Sequence, residues 1–187
     1  MKKQDEMNSP ERVKEIVSLA RRGDEGAFSQ LVDIYASRLF GYLYRLTGNR
    51  DDANELLSEL FLKMVEKIGT CRPETFEAWL FKIASNLFTD YLRSKKRREK
   101  MLLRIEEQVQ EGTETPQSND LPTDKLTRQL QRLEPETAEI IVMRYYSQLS
   151  FEELAKARKE PIGTVLSKVH RGLKKLRQLM EESDDRK

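Results

Sequence analysis

The sequence predicts an all-α protein: two small helical domains joined by a flexible acidic linker. Three observations carry that prediction. Apolar residues recur at spacings of three and four rather than two. Only eight Gly and six Pro among 187 residues leave little turn material for an all-β chain. Charge is sorted unevenly, although 34 basic and 32 acidic residues sum to only +2. The length suits one medium or two small domains and rules out a large catalytic barrel. An apolar content of 37% against 35% charged residues points to small helical units with much solvated surface.

In chain order, Val13, Ile16, Val17 and Ala20 suggest a short leading helix. Phe28, Leu31, Val32, Tyr35, Leu39, Tyr42, Leu43 and Leu46 then form one unbroken stripe, stopped by Gly48-Asn49. Asp52-Ala53-Asn54-Glu55 reads as an N-cap followed by a capping-box Glu. Behind it run Ala53, Leu56, Leu57, Leu60, Phe61, Met64, Val65 and Ile68. Gly69 to Pro73 break that helix. The next carries Phe76, Trp79, Leu80, Ile83, Ala84, Leu87, Phe88 and Tyr91 and ends in the basic run Arg93 to Lys100.

From Ile105 to Asp124 there is no Lys or Arg, while Glu106, Glu107, Glu111, Glu114, Asp120 and Asp124 accumulate with Gly112, Pro116 and Pro122. Such a segment buries too little surface to offset its ordering entropy. The first domain is therefore expected over residues 10–98, the linker over 99–122 and the second domain over 123–181.

In the second domain, apolar spacing resumes at Leu126, Leu130 and Leu133, and Glu134-Pro135 opens a helix whose face is Ala138, Ile141, Val142 and Tyr145. Ser150-Phe151-Glu152-Glu153 is a second capping box, opening a short helix to about Ala157. After Lys159-Glu160-Pro161, the last helix is lined by Ile162, Val165, Val169, Leu173, Leu176 and Met180. A short helix, a tight turn and a longer basic helix make the helix-turn-helix pattern.

The exposed faces bear on function. Thr164, Ser167, Lys168, Arg171, Lys174, Lys175 and Gln178 lie opposite the last apolar stripe, and Pro161 to Met180 contains no acid. Ordinary solvated helices mix charge signs. An all-positive one suits the DNA major groove, with residues near its start on base edges and later ones on phosphates. His170 falls at the edge of this face, where a packed boundary His is expected. On the earlier helix, Lys82, Asn86, Thr89, Asp90 and Arg93 share the face left free by the apolar stripe. Lys95, Lys96 and Arg97 beside them supply phosphate neutralisation. Trp79 reads as a core residue or a base-stacking wedge. Asp51, Glu55, Ser58, Glu59, Leu62 and Glu66 form an acidic stripe with an apolar anchor, which is either plain solvated surface or a site for a basic protein partner.

A single Cys71 and a single His170 exclude disulfide frameworks and Cys/His zinc sites. No P-loop or Gly-rich nucleotide fingerprint is present, so no cofactor, metal or catalytic residue is expected. The charged N-terminus, and the absence of any apolar run near the roughly 18 residues of a membrane helix, predict a cytoplasmic protein without membrane insertion.

Taken with their order, these motifs resemble those of an extracytoplasmic-function (group IV) bacterial sigma factor. Asp52-Ala53-Asn54-Glu55-Leu56 with Ser58-Glu59-Leu60-Phe61 is similar to the family's core-polymerase motif, departing from it at Asn54, Ser58 and Leu60. Phe76-x-x-Trp79-Leu80-x-x-Ile83-Ala84-x-Asn86, with Asp90 and Arg93, resembles the helix that reads and opens the minus-ten element. Pro161-Ile162-Gly163-Thr164-Val165-x-Ser167 with Arg171 resembles the start of the helix that reads the minus-thirty-five element. In the family, Leu166 stands where many relatives carry Arg or Lys, and Lys159-Glu160 replaces a Gly-containing turn.

The resemblance implies a region 2-like bundle, a region 4-like helix-turn-helix and promoter-specific initiation with bacterial core RNA polymerase. It implies promoter DNA as ligand and an anti-sigma protein as a frequent further partner. Asp52, Glu55, Ser58, Glu59 and Leu62 would grip polymerase. Lys82, Asn86, Asp90, Arg93, Lys95, Lys96 and Arg97 would meet the minus-ten DNA, with the Gly69 to Pro73 loop capturing an unstacked base. Thr164, Ser167, Lys168, Arg171, Lys174 and Lys175 would meet the upstream element. The competing reading is a stand-alone helix-turn-helix regulator on duplex operators. It shares the last helix but leaves the acidic stripe and Asn86 unexplained.

Overall fold

The computed structural model describes residues 9–108 and 124–184, and among them helices are the only regular elements. The helices are α1 (Pro10–Ala20), α2 (Glu25–Thr47), α3 (Arg50–Lys67), α4 (Phe76–Gln108), α5 (Lys125–Leu130), α6 (Pro135–Tyr146), α7 (Phe151–Arg158) and α8 (Ile162–Asp184). Two single 3₁₀ turns, Ile68–Thr70 and Pro73–Thr75, connect α3 to α4.

Local chemistry accounts for most boundaries. Ser9, Asp24, Asn49, Asp124 and Ser150 each accept a backbone N–H of the first turn that follows. Gly48 ends α2 in the left-handed region at φ 72°, a conformation open to a residue without Cβ. The Ser150–Glu153 capping box forms in full. The other expected box does not: Asn49 caps α3, which places Asp52 inside the first turn. The Asn49 side chain, three residues nearer the Gly48 stop than Asp52, accepts from the free amides of Asp51 and Asp52 at 2.7 and 2.9 Å. Helix α4 runs ten residues past the expected domain end at 98, because Glu99 to Gln108 offers no breaker before Gly112. The rest of the expected linker, from residue 109, lies outside the described residues.

Helices α1 to α4 enclose one part of the core, including Leu31, Leu39, Leu43, Leu60, Met64, Leu80 and Phe81. Helices α5 to α8 pack on one another, and also on the first unit: α6 and α5 lie on α2, and α7 lies on α4. Helix α6 is thus covered from two sides, by α2 and α8. Every residue from Ala138 to Met143 is buried, where a single apolar face was expected, while Tyr145 from that face is exposed. Both neighbours come close. A Cβ on Gly41 would stand 2.6 Å from the Tyr146 ring, and one on Gly172 2.6 Å from Thr137 and 2.7 Å from Ile141.

Polar contacts pin the two units. Arg38 of α2 donates to the Tyr146 carbonyl at 3.1 and 2.7 Å, pairs with Glu77 and lies over the Tyr35 and Phe81 rings. A cation at that carbonyl also complements the C-terminal end of α6. Arg45 pairs with Asp124, and the Gln131 amide donates to the carbonyls of Arg45 and Leu46 at 3.0 and 2.9 Å.

Candidate nucleic-acid interface

Helix α8 is positioned by charge as well as by its buried edge of Val165, Val169, Leu176 and Leu179. Arg158 at the end of α7 is nearly enclosed and reaches three carboxylates: Glu139 at 3.0 Å, Glu160 at 3.1 Å and Glu136 at 3.3 Å. Lys168 bridges Glu136 and Glu160, both at 2.8 Å. The hydrogen bond from Lys168 holds the Glu136 carboxyl below its usual range. At Glu160 burial pulls upward, but bonds from Lys168 and Arg158 outweigh it and the pKa falls. Lys168 is pushed up by the same two partners. Its charge is therefore engaged within the fold and is not a free cation on the basic face.

The turn before α8 solves a geometric problem without glycine. Lys159 adopts φ 56°, ψ 39°, and its N–H caps α7 from the left-handed region. Such a conformation costs an L-residue about 1–2 kcal/mol.

Thr164, Ser167, Arg171, Lys174 and Lys175 are all exposed on one side of α8. His170 is exposed with them, not packed at the boundary. Ile162 also differs from expectation: with Leu166 it stays open to solvent, because the core edge of α8 turns through Val165 and Val169 instead.

On α4, Asn86, Asp90, Arg93, Lys95, Lys96 and Arg97 are exposed and Lys82 is half-buried. Asp90 and Arg93 pair at 3.1 Å. Trp79 is half-buried, packed on the core with its ring 5.8 Å from that of Phe76. Ser85, next to Asn86, is buried against the second unit and donates to Glu139. In the turn between α3 and α4, Thr70 and Arg72 are exposed while Cys71 is buried. Burial pushes its thiol up to about 11 against the pull of Arg21, so the thiolate is scarce at neutral pH.

The α3 stripe is exposed at Glu55, Ser58, Glu59 and Glu66, with Leu62 66% accessible. Val65, expected in the core stripe, is 52% accessible beside it. One turn of α3 thus offers two apolar side chains framed by carboxylates. Periodicity could not separate Val65 from the core because it borders the buried arc of Leu60 and Met64. Asp52 is half-buried and accepts the Tyr91 hydroxyl at 2.8 Å, tying α3 to α4. Burial first, and then that bond, push the Tyr91 pKa up.

The arrangement joins an acidic-apolar surface on α3 to positive surfaces on α4 and α8. Among the described residues no group of His, Cys, Asp and Glu could hold a metal ion, and no helix is long and apolar enough to cross a membrane.

Residues 31–98 match the Sigma-70 region 2 family, and residues 123–176 match Sigma-70, region 4. The chain is 33% identical to the ECF RNA polymerase sigma factor SigE of Mycolicibacterium smegmatis, covering 83% of this chain and 63% of that protein. It is 28% identical to the ECF sigma factor SigW of Bacillus subtilis, over 95% and 99% of the two chains. It is 32% identical to the RNA polymerase sigma factor CarQ of Myxococcus xanthus, over 87% and 94%. In fold it is similar to CnrH, solved with the cytosolic domain of CnrY (TM-score 0.68, 20% identity, 91% and 97% covered). It is also similar in fold to the sigma factor RpoE of Bartonella quintana, solved with the anti-sigma factor NepR (TM-score 0.66, 23% identity, 82% and 96% covered). With both helical units and their order matched, the chain belongs to the extracytoplasmic-function RNA polymerase sigma factors.

Proposed function

We propose that this sigma factor works in the cytoplasm, where it binds bacterial core RNA polymerase through α3 and directs initiation at promoters read by α4 and α8. The first unit, residues 10–98, carries polymerase binding and minus-ten opening. The second, residues 123–181, carries upstream recognition. The nucleotide chemistry is the polymerase's, and none is assigned to this chain.

Glu55, Glu59, Leu62 and Val65 suit a basic protein surface with an apolar pocket, Ser58 lying among them, and Asp52 orients the helix that bears them. Asn86 meets a base edge, with Lys82 and Arg93 to Arg97 on phosphates. The exposed Thr70 and Arg72 flank the place of an unstacked base, whose release costs about a few kcal/mol. Arg171 with Ser167 and Thr164 reads the upstream duplex, and Lys174 and Lys175 neutralise its backbone. An anti-sigma protein is a further partner in this reading.

The observation that carries the reading is the coexistence on one chain of the acidic-apolar α3 face with two positive helix faces. A stand-alone operator binder has no use for the first. Distance adds a requirement. The two promoter elements lie about 25 base pairs apart, roughly 85 Å along B-DNA, whereas a globule of this length is about 40 Å across. Full promoter engagement therefore needs α5, α6 and α7 to leave α2 and α4. The test is promoter binding by the purified chain with and without core polymerase. Specific binding only in the mixture supports the proposal; equally tight, specific operator binding by the chain alone favours the regulator.

A further inference from the structure

We infer that Leu166 is a specificity residue that reads the 5-methyl group of a thymine in the upstream element; this rests on the reading of α8 given above. A lone exposed leucine carries no meaning on a protein surface. Leu166 is not placed at random. It is 43% accessible one turn into α8, and Ile162, one turn before it, is 42% accessible, so the two form an apolar strip along one edge of the basic face. Ser167 and His170 are its exposed neighbours. Gly163 in the same turn has open space where a Cβ would stand, so no side chain holds this end of the helix away from a ligand.

The occupant follows from charge. Every ionised side chain between Pro161 and Met180 is positive, which favours a polyanion over an acidic or neutral protein groove. On a polyanionic duplex, the apolar feature of the major-groove edge is the thymine methyl. A leucine at the early part of a recognition helix is within the stretch that meets base edges rather than phosphates. Leu166 therefore adds base discrimination where a basic side chain would add general affinity.

The experiment uses the full chain reconstituted with core polymerase and an upstream element selected by the wild type from a randomised library. Each thymine of that element is replaced singly by deoxyuridine, which removes only the methyl group. At one position the wild type is expected to lose roughly fourfold in binding, the size of one buried methyl. Leu166→Met keeps that response. Leu166→Ala abolishes it, binding the unmodified element as weakly as the wild type binds the uracil form, with its unfolding midpoint unchanged because the site is exposed. Uracil that is neutral everywhere for the wild type, or equally harmful to wild type and Leu166→Ala, overturns the inference while leaving α8 as the reader. Neutral uracil together with weakened polymerase binding by Leu166→Ala makes Leu166 a protein contact and also overturns it. Failure of the wild type to select any upstream sequence defeats the reading of α8 itself, and this inference with it.

Discussion

Ser85 of α4 donates its hydroxyl to Glu139 of α6, whose other carboxylate oxygen accepts from Arg158 at 3.0 Å. Ser85 and Glu139 are buried where the two helical units meet, with Arg158 nearly enclosed beside them, and the fully enclosed Tyr42 hydroxyl lies beside the same carboxylate. Burial, then the Glu139 charge, pushes the Tyr42 pKa well up, so it stays a neutral phenol. One carboxylate therefore serves the internal order of the second unit and its seat on the first.

Removing it should be costly. Glu139→Ala strands Arg158 with two carboxylates instead of three and leaves Ser85 without an acceptor. A loss of about 3–5 kcal/mol in urea unfolding is expected, the range for breaking a buried pair by removing one partner. Ser85→Ala should cost about 1.5–3 kcal/mol, since it removes a hydrogen bond to a buried, ion-paired carboxylate. If Glu139→Ala unfolds like the wild type, the network is ornamental.

Charge reversal on α3 should separate binding from stability. Glu59→Lys combined with Leu62→Ala is expected to abolish co-purification with core polymerase while moving the thermal midpoint little, because both sites are exposed. The ion pair lost with it, Glu59 to Lys63 at 3.1 Å, is a surface i,i+4 pair worth only about 0.3–0.5 kcal/mol. Retained polymerase binding sinks the assignment of this face.

Arg171 and Lys175 should fail differently. As a bidentate base contact, Arg171→Ala should cost roughly 1–3 kcal/mol and relax discrimination at one base pair. Lys175→Ala should weaken all sequences evenly and flatten the salt dependence. Transcription by holoenzyme from a library randomised in the upstream element reads both. A uniform drop with intact base preference for Arg171→Ala would make it a phosphate contact.

The Lys168 bridge sets an acid limb. Glu136 and Glu160 titrate below their ordinary value of 4.5 in the folded chain. Their stabilisation is therefore complete above that value and is lost as pH falls through the lowered folded values. Lys168 shifts the other way: its share is complete below 10.5 and lost only as pH rises through its raised value. Lys168→Met should flatten the acid limb in urea melts at about pH 3 to 6. An unchanged limb would place the acid sensitivity elsewhere.

At Lys159 the backbone, not the side chain, is the cost. Lys159→Gly is expected to raise stability by up to about 1 kcal/mol, since its left-handed φ of 56° is free of Cβ strain only for glycine. A destabilised variant would show that the lysine stem makes a compensating contact.

Local and periodic information was enough for much of this chain. Helix identity, the Gly48 stop, the Ser150–Glu153 box and the exposed basic face of α8 follow from spacings within a few residues, because helical geometry maps such spacings directly onto faces. Leu62 and Arg171 were legible for that reason. Burial of a face by a distant element obeys no local rule. Only the packed fold covers Glu139 and Ser85, surrounds α6 on two sides, commits Lys168 to Glu136 and Glu160, and leaves Val65 and Leu166 in solvent. A sequence shows that a residue is charged or apolar, but which partner lies opposite it depends on contacts between residues up to 108 positions apart, as at Arg38 and Tyr146.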